Sequence, residues 1–183
     1  MDDTREMMRN RFYGMFQIIK YKEAFYNVHY RKAHLYNVLF STITLFVSVA
    51  SALIWSISSS LPILWALVIA AAQMVQAMKD ITPWSRRLSA LEHFQPDLRM
   101  LLLDIENAWD NLDIEVWNTE KIRSMRGAFD LRYFELEQKY IGNTYFPRSD
   151  RICAEAQEET DTFFRNRYET YTEKGDEANV PVQ

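Results

Sequence analysis

Few residues in this 183-residue chain have the types and spacing of a catalytic or metal site. The histidines, His29, His34 and His93, form no HExxH pattern and do not pair with cysteine at zinc-ligand spacing. The single cysteine, Cys153, lies in an acidic segment, which is a poor setting for a reactive thiolate. With only four glycines, the chain also lacks a P-loop and a GxGxxG motif. We therefore predict that the protein is not an enzyme and uses no metal and no cofactor.

The polar chemistry that remains is basic. Six Lys and Arg residues on either side of a long apolar block could contact phosphate groups: Arg9, Arg11, Lys20, Lys22, Arg86 and Arg87. Bases in this position also mark the cytoplasmic side of a membrane segment and contact lipid headgroups. The alternative is a cytosolic site for a phosphate-rich ligand, built where several subunits bring these Lys and Arg residues together, with nearby aromatic rings that could stack on nucleobases. The sequence leaves both interpretations open.

The apolar block from Ala33 to Met78 contains no Asp, Glu, Lys or Arg in 46 residues. Because one bilayer span needs about 20 mostly apolar residues, the block has room for two spans and a short turn. We predict the spans at about residues 35–57 and 61–78, with the turn at Ser58–Ser60 and Pro62. The alternative is a buried helical hairpin in a soluble core.

Each predicted span has a face of small or polar residues. The first has hydroxyl residues at helical spacing, and the second has two glutamines: Ser41, Thr44, Ser48, Ser51, Gln73 and Gln76. Small faces let helices approach closely in lipid, so helix packing explains the pattern. The alternative is that these residues line a water-filled pore, because an amide in hydrocarbon requires a partner or water. A two-helix hairpin cannot enclose a pore alone, so the pore requires an oligomer.

The charges on the flanks predict the topology. Residues 1–32 carry seven bases and four acids, whereas the region after Met78 carries 14 bases and 21 acids. Bases close to both spans and an uncharged turn place both termini in the cytoplasm by the positive-inside rule. We therefore expect a membrane protein that contacts lipid and presents almost nothing outside, which in a bacterium would be a protein of the inner membrane.

The segments beside the block have helical spacing. We predict a basic, aromatic helical segment at residues 1–34, which either packs on the other cytosolic helices or lies on the inner leaflet; packing is the interpretation we favour. A cytosolic helical region follows at 79–173, with a new helix at Pro96, a break near Asn118, an end at Gly142–Asn143 and a cap at Ser149. Its carboxylates from Asp97 to Glu137 are expected on solvated faces. The tail at 174–183 has the composition of a disordered segment.

The predicted fold class is therefore an all-α membrane protein: a two-span transmembrane helical hairpin with an N-terminal helix and a C-terminal cytosolic helical bundle or stalk. This layout, with the segments WSRRLSALEHF and LRMLLLDIENAW after the second span, resembles the SLATT-type two-transmembrane effectors. The matching positions are Trp84, Arg87, Leu91, Leu98 and Trp109. These bacterial proteins are encoded beside nucleotidyltransferases in anti-phage defence systems.

The resemblance implies a homo-oligomer, for which a tetramer is one expected size, that forms a membrane pore. It also implies control by a nucleotide or oligonucleotide from the neighbouring nucleotidyltransferase, and no catalytic residues. We accordingly expect an ion-channel effector that depolarises the membrane in abortive infection. Two alternatives remain open: a non-conducting, membrane-anchored helical scaffold, and a holin-like lytic protein that needs no cytosolic ligand.

Overall fold

The computed structural model describes residues 2–57, 70, 73–74, 83–114, 117–142 and 144–169. Four α-helices lie in these ranges: α1 Asp2–Ile57, α2 Pro83–Ile114, α3 Thr119–Leu136 and α4 Asp150–Phe164. A π-helical turn follows α3 at Glu137–Ile141, and another follows α4 at Arg165–Glu169. The described residues contain no strand, which confirms the all-α class predicted from the sequence. Among them, no helix combines the length and the apolar character needed to cross a membrane.

The chain divides into two compact units. The first unit comprises Met1–His29 and His93–Gln183, and the second comprises Tyr30–Glu92. Helix α1 contributes residues to both because it continues without interruption from Asp2 to Ile57. Most of the predicted second span and the predicted disordered tail at 174–183 lie outside the described residues.

The core of the first unit is built on the apolar face of α1. Phe12, Phe16 and Ile19 recur at i, i+4 and i+7, which puts them on one face of a helix, and they are at most 2% exposed. Rings from the other three helices surround this face: Phe12 packs against Trp109 and Phe129, and Phe16 packs against Phe164. The N-terminal helix therefore packs on the other helices, as favoured from the sequence.

Helices α1 and α2 run antiparallel in the first unit. Phe12 contacts Trp109, Glu23 approaches Arg99, and Tyr26 contacts Phe94. From one pair to the next, the residue number on α1 increases while the residue number on α2 decreases. The two numbers of each pair therefore add to between 120 and 122. This constant register brings Lys20 and Glu23 of α1 beside Arg99 of α2.

Local capping signals set several of the helix ends. The Asn118 side chain accepts the Lys121 amide at 2.8 Å at the start of α3, and the Ser149 side chain accepts the Ile152 amide at 3.4 Å at the start of α4. Gly142 ends the π-helical turn with φ +45° and donates its N–H to the Glu137 carbonyl at 2.9 Å. The break near Asn118, the end at Gly142 and the cap at Ser149 are thus confirmed; Asn143 lies outside the described residues.

The prediction of a new helix at Pro96 is wrong, because α2 continues through this proline. A proline inside a helix costs about 3 kcal/mol. Phe94, Leu98 and Leu101, which flank it, have no exposed surface, and their burial outweighs that cost. Arg167 is exposed, and the buried positions of α4 are Ile152, Ala156, Thr160 and Phe164, at a strict four-residue spacing.

Candidate functional site

One concavity of the first unit is a groove of about 400 Å³, which we call the charged groove. Residues from α1, α2 and α4 line it: Phe16, Lys20, Glu23, Arg99, Leu102, Leu103, Glu106 and Phe163. The antiparallel register supplies the α1 and α2 residues, and α4 adds the ring of Phe163. Cations, carboxylates and apolar rings therefore meet in one depression of a size typical of small-molecule sites.

Glu23 connects the two cations at one end of the charged groove. Its side chain is only 10% exposed; Lys20 Nζ lies 2.8 Å from Oε2, and Arg99 Nε lies 3.8 Å from Oε1. The Lys20 ammonium also lies 4.4 Å from the centre of the Phe163 ring. Arg99 keeps 62% of its side chain exposed, so its guanidinium faces solvent at the mouth of the groove.

Glu106 marks the other end. Its side chain is 14% exposed, and Arg167 Nε approaches its Oε1 at 2.7 Å. The same carboxylate, by Coulombic attraction, raises the pKa of the Arg167 guanidinium. Residues 99 and 106 are seven apart on α2, which places them on one face and about 10 Å apart along the axis. The groove thus has opposite polar chemistry at its two ends.

A second polar group, the Glu137 cluster, consists of Glu137, Tyr26, Tyr133 and Lys22. The Tyr26 hydroxyl donates to Glu137 Oε1 at 2.9 Å, and the Tyr133 hydroxyl donates to the same atom at 2.8 Å. Lys22 Nζ lies 3.8 Å from that oxygen and 4.3 Å from the centre of the Tyr133 ring. Burial, and then the nearby carboxylate, raise the pKa of both tyrosine hydroxyls. The cluster joins α1 to the end of α3 through one carboxylate oxygen.

The structure distributes the predicted phosphate-contacting residues rather than gathering them. Arg9 lies over the Trp109 ring at 5.4 Å, and Arg11 borders a shallow depression that also contains Asp3 and Glu6. Lys20 belongs to the charged groove, whereas Lys22 belongs to the Glu137 cluster. Two residues along a helix turn it by about 200°, so these lysines lie on opposite sides of α1.

The remaining two members of that set fall in the second unit. Arg87 is half-buried and makes an interaction with another group. The side chain of Arg86 lies outside the described residues. The phosphate-binding assignment of the six Lys and Arg residues therefore stays a prediction. Of these six, Lys20 lines the charged groove, and it does so together with the exposed Arg99.

The pore-lining candidates also stay predictions. Ser41 and Thr44 are half-buried, and the Thr44 hydroxyl donates to the Phe40 carbonyl of its own helix at 2.8 Å. Gln73 is exposed. The side chains of Ser48, Ser51 and Gln76 lie outside the described residues.

Large apolar side chains of α1 are exposed in the second unit. Each of the following is at least 47% exposed: Leu35, Tyr36, Val38, Leu39, Ile43, Leu45, Phe46 and Val49. At 100° per residue they cover about half of the helix circumference. Asn37, Phe40, Ser41 and Thr44 occupy the other half and are partly covered. One side of this helix is therefore packed, and the other presents large apolar side chains with the exposed Thr42 among them.

Sequence reasoning missed the carboxylates that organise the first unit. Asp97–Glu137 was assigned to solvated faces, yet Glu106 and Glu137 are both partly buried and paired, as is Glu23 outside that range. The available signal was position: Glu23 is seven residues after Phe16, Glu106 four after Leu102, and Glu137 four after Tyr133. Each carboxylate thus occupies a place in an apolar stripe.

No group of His, Cys, Asp and Glu within the described ranges could hold a metal ion. The buried His29 packs its ring against Phe25 and Phe146, at 4.7 and 5.3 Å between centroids. No family model, curated protein or solved structure matches this chain.

Proposed function

We propose that the protein is a homo-oligomeric pore of the bacterial inner membrane, with both termini in the cytoplasm. Opening of the pore would depolarise the cell during phage infection, as expected for a SLATT-type effector. A nucleotide or short oligonucleotide signal from a neighbouring nucleotidyltransferase would act on the first unit. The membrane segments would be the hairpin predicted at residues 35–57 and 61–78.

The observation that carries the proposal is the apolar half of α1 between Leu35 and Val49. In water, so large a contiguous apolar surface is rare on a monomer and marks contact with a membrane or another protein. Lipid chains can cover such a surface without a specific protein partner. Residues 33–78 contain no charged side chain that would oppose their contact with lipid.

Two hydroxyls on this segment suit a lipid environment. Thr42 and Thr44 donate to the carbonyls of Val38 and Phe40 at 2.9 and 2.8 Å, respectively. A hydroxyl bonded to its own helix needs no water, which lowers the cost of placing it among hydrocarbon chains.

The antiparallel register of α1 and α2 in the first unit is a second, independent argument for a hairpin. Pairs between α1 and α2 have residue numbers that add to about 121. Two helices that kept this antiparallel register would be joined at half that sum, near residue 60. The turn predicted from the serines and the proline falls at Ser58–Pro62.

A second candidate function is a non-conducting membrane anchor that presents the helical unit to a partner. The observation that favours it is the placement of Ser41 and Thr44, which are half-buried on the packed side of α1. Hydroxyls on that side, one of them bonded to its own backbone, fit close helix packing as well as a pore lining.

Membrane insertion is tested with a matched pair of exposed leucines. Leu45 is 65% exposed at the centre of the predicted first span, and Leu131 is 59% exposed on α3. A lysine at the centre of a span costs about 3 kcal/mol on insertion scales. We expect Leu45→Lys to shift the full chain from the membrane fraction to the soluble fraction and Leu131→Lys to leave it in place. Equal behaviour of the two variants would contradict membrane insertion.

Conduction is tested in liposomes. We expect the purified full chain to be oligomeric in mild detergent and to release a trapped dye from liposomes at a rate that added nucleotide changes, and we expect Gln73→Leu and Gln76→Leu to reduce the release. A membrane-bound protein that releases no dye with or without added nucleotide would favour the anchor. In cells that are not infected, membrane leakage that needs no ligand would favour a holin-like protein.

A further inference from the structure

We infer that the charged groove binds a nucleoside monophosphate whose base carries an exocyclic amino group. This inference rests on the proposed function for its setting, a cytosolic signal received by the first unit, and it names the ligand class and the site. The charged groove has a cationic end, an apolar middle and an acidic end, all in the first unit.

The cationic end fits a phosphate. Arg99 holds Glu23 only loosely, with 3.8 Å between Nε and Oε1, and 62% of its side chain is exposed. Its planar guanidinium can therefore take a phosphate in a two-point hydrogen bond. Lys20, 2.8 Å from the same carboxylate, supplies a second positive charge beside that position.

Glu23 acts at this end as an internal competitor. Its carboxylate offsets part of the positive charge of Lys20 and Arg99 in the ligand-free protein, and its side chain is 10% exposed. A phosphate that binds Arg99 must displace this carboxylate or share the cations with it. Removal of the negative charge at Glu23 should thus strengthen phosphate binding.

The middle of the groove fits a planar ring. Phe16, Leu102, Leu103 and Phe163 line it with apolar surface, and Leu103 is 52% exposed where it borders the opening. Its volume of about 400 Å³ lies within the range of sites that hold small organic ligands. An inorganic phosphate ion would leave this part of the groove unfilled.

The acidic end selects a donor. Glu106 forms an ion pair with Arg167, whose Nε lies 2.7 Å from Oε1, and a carboxylate has further acceptor positions for a ligand N–H. Arg99 and Glu106 are about 10 Å apart along α2. In an α-amino acid the ammonium and carboxylate groups are attached to the same carbon, so these two groups cannot reach both ends of the groove. A nucleotide with its phosphate at Arg99 and the amino group of its base at Glu106 can span them.

The test is calorimetric binding to the full chain in mild detergent, with adenosine monophosphate (AMP), inosine monophosphate and adenosine as probes. Inosine monophosphate has an oxygen in place of the amino group, and adenosine lacks the phosphate. We expect AMP to bind about tenfold more tightly than either, since each loses a hydrogen bond to a charged group.

The matched variants are Arg99→Gln and Arg132→Gln. Arg132 is also an exposed arginine, paired with Asp104 at 2.6 Å, but it does not line the groove. We expect Arg99→Gln to weaken AMP binding about tenfold with adenosine binding unchanged, and Arg132→Gln to change neither. Glu23→Gln should bind AMP more tightly than the wild type. Far-UV circular dichroism verifies that each variant stays helical.

Three results would overturn the inference: equal AMP affinities of the two arginine variants, equal affinities for AMP and inosine monophosphate, or absence of AMP binding in both the wild type and Glu23→Gln. These results would leave the pore untouched, because dye release is a separate measurement. Conversely, AMP binding by a protein that releases no dye would support the groove and contradict the pore.

Discussion

Replacement of Glu137 by alanine tests whether one carboxylate oxygen fastens α1 to the end of α3. The substitution removes the acceptor of two tyrosine hydroxyls, which lie 2.9 and 2.8 Å from Oε1. A hydrogen bond to a charged group contributes about 1.5–3 kcal/mol, so at the lower bound the two together give about 3 kcal/mol. Lys22 adds little, because its ammonium is 3.8 Å away and its side chain is 36% exposed. We expect Glu137→Ala to lower the free energy of unfolding by about 3 kcal/mol.

The assay is urea unfolding of the full chain in mild detergent, followed by near-ultraviolet circular dichroism. Glu137→Gln keeps a carbonyl acceptor, so we expect it to lose about 1 kcal/mol. Glu135→Ala is the matched control, since Glu135 is exposed two residues earlier on α3. In Tyr26→Phe, removal of Glu137 should cost less than in the wild type, because one donor is already gone. If Glu137→Ala unfolds within about 0.5 kcal/mol of the Glu135→Ala control, the two hydrogen bonds do not hold these helices together.

Three further predictions concern stability. Above pH 10 the unfolded tyrosines release protons that the two folded tyrosines of the Glu137 cluster retain, because burial raises the pKa of both hydroxyls. These two groups should then lower the free energy of unfolding by about 2.7 kcal/mol per pH unit, and a variant with phenylalanine at both positions should lose this part of the pH dependence in urea titrations at several pH values. Gly142→Ala should destabilise by about 1–2 kcal/mol because φ is +45°, whereas Gly127→Ala, with no atom within 4 Å, should stabilise by about 0.5–1 kcal/mol; thermal melts compare them. Phe12→Ala should cost about 3–5 kcal/mol because the ring is fully buried, whereas Ile18→Ala, at a 59% exposed position, should stay within about 0.5 kcal/mol in urea unfolding.

Each of these predictions has a result that would contradict it. If the free energy of unfolding depends on pH equally in the wild type and in the variant with phenylalanine at both positions, groups other than these two tyrosines cause the loss of stability at alkaline pH. A Gly142→Ala variant as stable as Gly127→Ala would show that the positive φ carries no penalty. Equal losses at positions 12 and 18 would show that the N-terminal part of α1 is not packed as described.

The helices and their ends could be predicted from the sequence because they depend on neighbours along the chain. Asn118 and Ser149 accept amide hydrogens three residues ahead, and Gly142 provides the conformation that a side chain disfavours. Spacings of three and four placed Phe12 and Phe16 on one buried face. Pro96 misled the prediction because its local cost is visible in the sequence, whereas the burial that outweighs it comes from residues of other helices.

The charged groove could not be predicted because it is assembled from distant segments. Lys20, Arg99 and Phe163 come from three helices, and only the antiparallel register of α1 and α2 brings the first two together. A carboxylate such as Glu106 resembles surface charge in the sequence, since the sequence does not show that Arg167 will lie 2.7 Å away. The apolar half-circumference of α1 was visible in part, as an absence of charge, but which side is covered depends on packing.

The aromatic contacts of Phe16 determine when the first unit can form during synthesis. Its ring packs against Phe163, Phe164 and Tyr168, roughly 150 residues later in the chain. At about 5–20 residues per second, a ribosome needs about 8–30 s to make that interval. Helix α1 and the uncharged stretch after it are thus complete long before the partners of Phe16 exist. The rings of α2 and α3 can cover Phe12 earlier, but the surface of Phe16 that faces α4 stays uncovered until α4 is made, so the first unit is completed only at that stage of synthesis.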